Sequence, residues 1–173
     1  SPVLDGSSIT AIEVAPADHH RVYAGTENGG FFRSLDGGLS WSEDLSGATL
    51  PGRTITRIEA SPVDAELLFI TVASFGNPHV FRSRDGGLSW EDVDRGLLPD
   101  APHHAVAISW DQPQTVYVCS DAGVFVSPDL GGTWEDLTRN LPNVMVVDVV
   151  HHQATKSLFV ATYGRSLWRL TLP

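Results

Sequence analysis

Apolar residues in this chain come in short runs, not at helical spacing. Val22-Tyr-Ala-Gly25, Leu67-Leu-Phe-Ile-Thr-Val72, Val116-Tyr-Val-Cys119 and Leu158-Phe-Val-Ala161 are bounded by Gly, Pro, Asp and Asn. Runs of this length, rich in Val, Ile, Phe and Tyr, predict β-strands. No stretch keeps apolar residues at i, i+3, i+4 and i+7 over three turns, so almost no helix is expected. The run Leu67 to Val72 is apolar at every position but Thr71, the pattern of a strand covered on both faces.

The strands recur with a period. Ser34-Leu-Asp-Gly-Gly-Leu-Ser-Trp41 returns as Ser83-Arg-Asp-Gly-Gly-Leu-Ser-Trp90 and as Ser127-Pro-Asp-Leu-Gly-Gly-Thr-Trp134, at spacings of 49 and 44 residues. Each copy follows an aromatic strand: Phe31-Phe32-Arg33, Val80-Phe81-Arg82 and Val124-Phe125-Val126. A fourth such strand, Leu167-Trp168-Arg169, is not followed by the turn. Upstream, Ile9-Thr-Ala-Ile-Glu-Val-Ala-Pro16 matches Ile55-Thr-Arg-Ile-Glu-Ala-Ser-Pro62, with weaker copies at His104–Ser109 and Met145–Val150. Each repeat therefore reads as four antiparallel strands, inner to outer, over roughly 9–15, 21–26, 30–34 and 41–45 in the first. The last repeat has only three, roughly 145–151, 157–162 and 166–171.

Repeats of this length and strand number predict an all-β protein, a β-propeller of about four four-stranded antiparallel blades, the last lacking its outer strand. One small sheet cannot bury two apolar faces alone and must stack on neighbours. The blades span roughly 9–50, 51–101, 102–143 and 144–173, in one arc over 1–173, with 1–8 as a candidate latch strand.

The repeated turn resembles the Asp-box, or bacterial neuraminidase repeat, Ser-x-Asp-x-Gly-x-Ser/Thr-Trp. That motif occurs in sialidases, sortilin-type receptors, xyloglucanase-type glycoside hydrolases and photosystem assembly factors. The resemblance covers nearly the whole chain and implies fold far more than function. It implies a structural, peripheral role for Ser34, Asp36, Gly38 and Trp41, for Ser83, Asp85, Gly87 and Trp90, and for Ser127, Asp129, Gly131 and Trp134. Local chemistry agrees. The glycines can supply a positive φ in the turn, the aspartates can accept backbone N–H groups of their own loop, and the tryptophans can cap the apolar layer. Family propellers usually have six or more blades, so the chain is expected to be part of a larger ring, with a self-contained ring or two chains completing one as alternatives.

Charge narrows the partners. Eleven basic residues against 21 acidic give a net charge of −10, which disfavours nucleic acid and anionic membrane surfaces. No apolar run is long enough for a membrane-spanning helix. The single cysteine, Cys119, makes no internal disulfide or multi-Cys zinc site. No start resembling a signal peptide is present, and export, extracellular or periplasmic, is implied by the family resemblance alone.

The candidate binding residues face the expected channel. Glu13, Glu59 and Asp148 are read as equivalent inner-strand positions, with Ala107 in the third repeat. They form either an acidic ring for a cation, a basic peptide or glycoside hydrolysis, or partners for Arg57, Arg33, Arg82 or Arg169. His103 and His104 are read as edging the channel mouth. The pairs His19-His20 and His151-His152 fall in loops, and adjacent strand residues point to opposite faces, so no metal site or cofactor is expected. No phosphate loop or nucleophile elbow is present. The sequence thus predicts a non-catalytic binding or scaffold module for a protein or glycan ligand. The alternative is a fragment of a secreted glycoside hydrolase of xyloglucanase or sialidase type.

Overall fold

The computed structural model describes residues 4–138, 141 and 144–172. Among these residues, fourteen strands form four antiparallel sheets. The first holds β1 (Ile9–Val14), β2 (Val22–Thr26) and β3 (Phe31–Ser34). The second holds β4 (Ile55–Ala60), β5 (Leu68–Val72), β6 (Val80–Ser83) and β7 (Glu91–Asp92). The third holds β8 (His103–Ile108), β9 (Val116–Ser120), β10 (Gly123–Ser127) and β11 (Glu135–Asp136). The fourth holds β12 (Val146–His152), β13 (Ser157–Thr162) and β14 (Ser166–Thr171). Strands follow chain order within every sheet, as blades of a β-propeller require.

The expected outer strand of the first blade, 41–45, does not form a ladder. Ser42 N donates to Arg33 O at 2.9 Å and Leu45 N to Phe31 O at 2.8 Å. The return bonds go to side chains: Arg33 N donates to Ser42 Oγ at 3.0 Å and Phe31 N to Asp44 Oδ1 at 3.1 Å. Short polar side chains compete with the backbone here, so the segment lies beside β3 without joining it. The candidate latch falls partly on Ser1–Val3, outside the described residues. Leu4–Ser7 form bends beside the first blade, where Asp5 Oδ2 accepts Thr26 Oγ1 at 2.7 Å, and Ser8 O accepts Glu27 N at 2.9 Å.

Three apolar cores lie between blades, not within them. Tyr23 and Phe31 meet Ile55, Ile58, Ile70 and Trp90 between the first two. Leu67, Phe69 and Val80 meet Val106, Ile108 and Val118 between the second and third. Tyr117, Cys119 and Val124 meet Val146, Val149 and Val160 between the third and fourth. β5 feeds two of them, Leu68 and Ile70 toward the first blade and Phe69 toward the third, so its run is apolar on both faces, Thr71 excepted.

The outward faces of the two end blades lack such partners. Ile9, Ile12 and Val14 are 48%, 66% and 48% exposed, whereas their register equivalents Ile55, Ile58 and Ala60 are at 2% or less. At the other end Leu167 is 63% exposed, while the equivalent Phe31, Val80 and Val124 are fully buried.

Candidate functional site

The inner strands line up in register, and this corrects one expectation. Glu13 pairs across with Tyr23, Glu59 with Phe69, and Ala107 with Tyr117. The fourth blade's equivalent, opposite Phe159, is Val150. Asp148 lies opposite Ala161, the place of Arg57 opposite Thr71. Every inner strand carries the same bulge at its start, so the four strands keep a common count, and Asp148 falls with Ala11, Arg57 and Ala105, two residues before the place of Glu13 and Glu59.

Glu13 and Glu59 do the same job in successive blades. Glu13 Oε1 accepts Ala60 N, and Glu59 Oε1 accepts Ile108 N, each at 3.4 Å. Thr10 and Thr56 complete the join, donating to Ile55 O and His103 O at 2.7 Å. The first blade thus bonds to the second, and the second to the third, through a threonine and a glutamate on the inner strand. Asp148 is instead paired with Arg57 at 3.2 Å, across the third blade, whose inner strand carries the small Ala105 and Ala107 at the intervening positions.

The electrostatics follow from burial. Desolvation pushes the Glu59 carboxyl up to about 8, and the neighbouring Glu13 charge adds to it. Glu13 is raised as well, chiefly by burial. Glu59 is therefore largely protonated at neutral pH. A small cleft of about 100 Å³ opens beside it, lined among others by Arg57, Glu59, Trp110 and His151. A protonated acid near an Arg-paired carboxylate is one ingredient of acid catalysis. Here both glutamates are engaged in joining blades.

The histidines do not edge the channel as a pair. His103 is fully buried at the junction of the second and third blades, with Nδ1 2.8 Å from Ala101 O. Burial lowers it to about 4, so it is neutral. It stacks on His79, centroids 4.9 Å apart. Burial opposes charge on His79 too, but Asp94 Oδ2 at 2.7 Å from its Nδ1 outweighs burial and raises it. His104 reaches Asp121 at 2.7 Å. Among the described residues, no three His, Cys, Asp or Glu side chains converge as metal ligands. Cys119 is buried, and burial pushes its thiol up to about 12, which makes it inert.

The three repeated turns share one hydrogen-bond pattern. Ser34 Oγ donates to Asp36 Oδ1 and accepts Gly38 N, both at 2.8 Å, while Ser40 N and Oγ donate to the Asp36 carboxylate at 2.8 and 2.6 Å. Ser83, Asp85 and Ser89 repeat it, as do Ser127, Asp129 and Thr133. Gly38, Gly87 and Gly131 have φ of 91°, 89° and 92°. The turns lie at the outer edge, away from the inner-strand acids.

Arginines were offered by the sequence as partners for those acids, and only Arg57 serves so. Arg33 donates to Asp85 O and Gly86 O at 3.3 and 3.1 Å, and Arg82 to Leu130 O at 2.7 Å. Arg33 and Arg82 thus each hold the turn of the following blade. Aligning the repeats would have exposed this, because Arg33 and Arg82 precede a blade that carries the turn, and the equivalent Val126 precedes one that does not. Arg169, in the same place on β14, donates to Ser157 Oγ at 2.9 Å and lies 6.0 Å over the Phe159 ring.

No family model matches the sequence, and no curated protein sequence matches it. Solved structures do. A GH74 xyloglucanase from Xanthomonas campestris is 18% identical over 94% of this chain and 29% of its own, with a TM-score of 0.75. An auxiliary nutrient binding protein from Bacteroides thetaiotaomicron is 12% identical over 96% of this chain and 39% of its own, TM-score 0.73. YCF48 from Cyanidioschyzon merolae is 15% identical over 99% of this chain and 58% of its own, TM-score 0.66. The chain is similar in fold to enzymes, binding proteins and YCF48 alike, and spans less than two thirds of each. Its own fold is an all-β arc of propeller blades. No helix among the described residues is long and apolar enough to cross a membrane.

Proposed function

We propose that this chain is an arc of a larger Asp-box propeller that serves an exported protein as a non-catalytic binding or scaffold module. The observation that carries the reading is the pair of end faces. Ile9, Ile12 and Val14 at one end and Val150 and Leu167 at the other stand in water, at positions that tend to be buried in the internal blades. An apolar face of this kind calls for another blade against it. The non-catalytic part rests on Glu13 and Glu59, each taken up by the next blade, and on Asp148, taken up by Arg57 of the second blade. A protein or glycan is the partner class, since the acidic surface suits neither nucleic acid nor anionic lipid.

Light scattering on the purified chain tests the arc. Association beyond the monomer is expected, lost in the double variant I12E/L167E. A compact monomer that withstands dilution and protease would mean the four blades close on themselves, and the arc reading would be wrong. The second reading, a fragment of a xyloglucanase- or sialidase-type glycoside hydrolase, is favoured by the xyloglucanase likeness and the raised Glu59 acid. Hydrolysis of xyloglucan or a sialoside that disappears in E59Q would establish it; no turnover is expected.

A further inference from the structure

The junction of the third and fourth blades differs from the other two. In the first junction, the space beside Tyr23 is packed by the incoming turn. A Cβ on Gly86 would stand 2.9 Å from Arg33 Nη1, 3.4 Å from Arg21 Nη1 and 3.5 Å from the Tyr23 hydroxyl. Arg21 also bonds Glu66 of the second blade at 2.8 Å. Guanidinium groups and turn backbone fill this space together.

Register transfers every part of that arrangement to the third junction. Tyr117 takes the place of Tyr23, Thr115 of Arg21, Val126 of Arg33 and Lys156 of Glu66. The fourth blade carries Leu170 and Leu172 where the turn's serine and aspartate stand elsewhere. With both arginines shortened and the turn gone, a slot of about 280 Å³ remains. Tyr117, Val126, Leu137 and Leu172 give it apolar walls, and Asp111 and Glu135 add carboxylates. Asp111 lies close enough to Tyr117 and His151 to act on both electrostatically. Burial keeps His151 low and hence neutral, and its ring is nearly parallel to that of Tyr117, centroids 6.1 Å apart. Lys156 is the cation of the lining.

We propose that this slot binds the side chain of an arginine presented by a partner polypeptide. The chain's own arginines fill the corresponding space in the first junction, so its dimensions suit a guanidinium on an alkyl stem. The phenol ring offers a face for stacking, and the two carboxylates offer charge-assisted hydrogen bonds. The net charge of −10 draws a basic segment toward the surface. The inference rests on the binding-module reading for its biological sense, but the slot exists whether or not further blades complete the ring.

The test is an amide NMR titration of the chain with Nα-acetyl-arginine methylamide, alongside the citrulline and tryptophan analogues. Shifts confined to Gln112, Lys156, Leu172 and their neighbours are expected for arginine alone, at millimolar affinity. D111N/E135Q should weaken binding at least tenfold. V126R, which supplies a guanidinium from within as Arg82 does, should abolish it while leaving the spectrum dispersed. K156E restores the charge that Glu66 provides and should tighten binding severalfold. Equal binding of citrulline, preferential binding of the tryptophan analogue, or unchanged affinity in V126R would overturn the proposal, as would no shift with arginine. Because the probe is a small molecule, failure here leaves the light-scattering result untouched, and the two readings fail separately.

Discussion

The turns Ser34–Trp41 and Ser83–Trp90 differ at one position, Leu35 against Arg84, and have the same internal hydrogen bonds. Their tryptophans do different things. Trp90 is 9% exposed and meets the Phe31 ring edge-on, centroids 4.8 Å apart at 80°. Trp41 has no preceding blade to meet, and its Nε1 donates to Gly38 O of its own turn at 3.2 Å. Trp134 behaves like Trp90, reaching back to Val93 O at 2.9 Å. An eight-residue segment sets its own backbone, but whether its tryptophan fastens two blades depends on a strand about fifty residues earlier. The same division appears at the glycines. A Cβ on Gly87 would overlap the Phe31 ring, and one on Gly38 would meet nothing closer than Trp41 at 4.0 Å.

That comparison can be broken by paired substitutions. The largest effect is expected for W90A, which empties the first junction and should cost about 3–5 kcal/mol. W41A should cost about 1 kcal/mol or less, because its ring packs on no blade. Urea unfolding of both variants measures the difference; equal losses would mean the tryptophan serves the turn and not the junction. Next comes G87A against G38A. Both pay for a positive φ, about 1–3 kcal/mol, but only G87A must also displace Phe31, adding about 1–3 kcal/mol. R82A should follow at about 1–2 kcal/mol, through loss of its hydrogen bond to Leu130 O.

Two carboxyls make stability depend on pH, and they do so in opposite directions. The Ser40 hydroxyl and amide hold Asp36 down to about 2. Its contribution is present above the ordinary carboxyl range and is lost as pH falls through about 2. Glu59, raised to about 8, contributes below the ordinary glutamate range, and that contribution is lost as pH rises through about 8. The melting temperature should therefore drop between about pH 5 and 8 in the parent protein and stay flatter in E59Q. A parent curve no steeper than that of E59Q would show that Glu59 ionises freely.

Much of this was legible in the residues. The period, the strand runs and the turn chemistry are local, and each is specified by neighbours within a few positions. Ser34, Asp36 and Gly38 need only one another to make their turn, so the sequence could name their role. The inner-strand acids were read half right. Glu13 and Glu59 are equivalent, but the weak similarity of the fourth repeat leaves its alignment open by two residues, and only the strand pairing puts Asp148 at the place of Arg57. The outer segment of the first blade failed as a strand because Ser42 and Asp44 took the bonds that a ladder needs.

By itself, the sequence determined the repeating sheet and the need for stacking, since alternating apolar faces cannot be satisfied within one blade. Only the tertiary structure decided which blade each side chain serves. His103 is read from sequence as a channel residue and is buried in a junction; Arg33 and Arg82 are read as partners of acids and bind turn carbonyls. The slot at the third junction is of the same kind, because it exists through what two separate repeats omit at once, and a space between blades is written in no one segment of the chain.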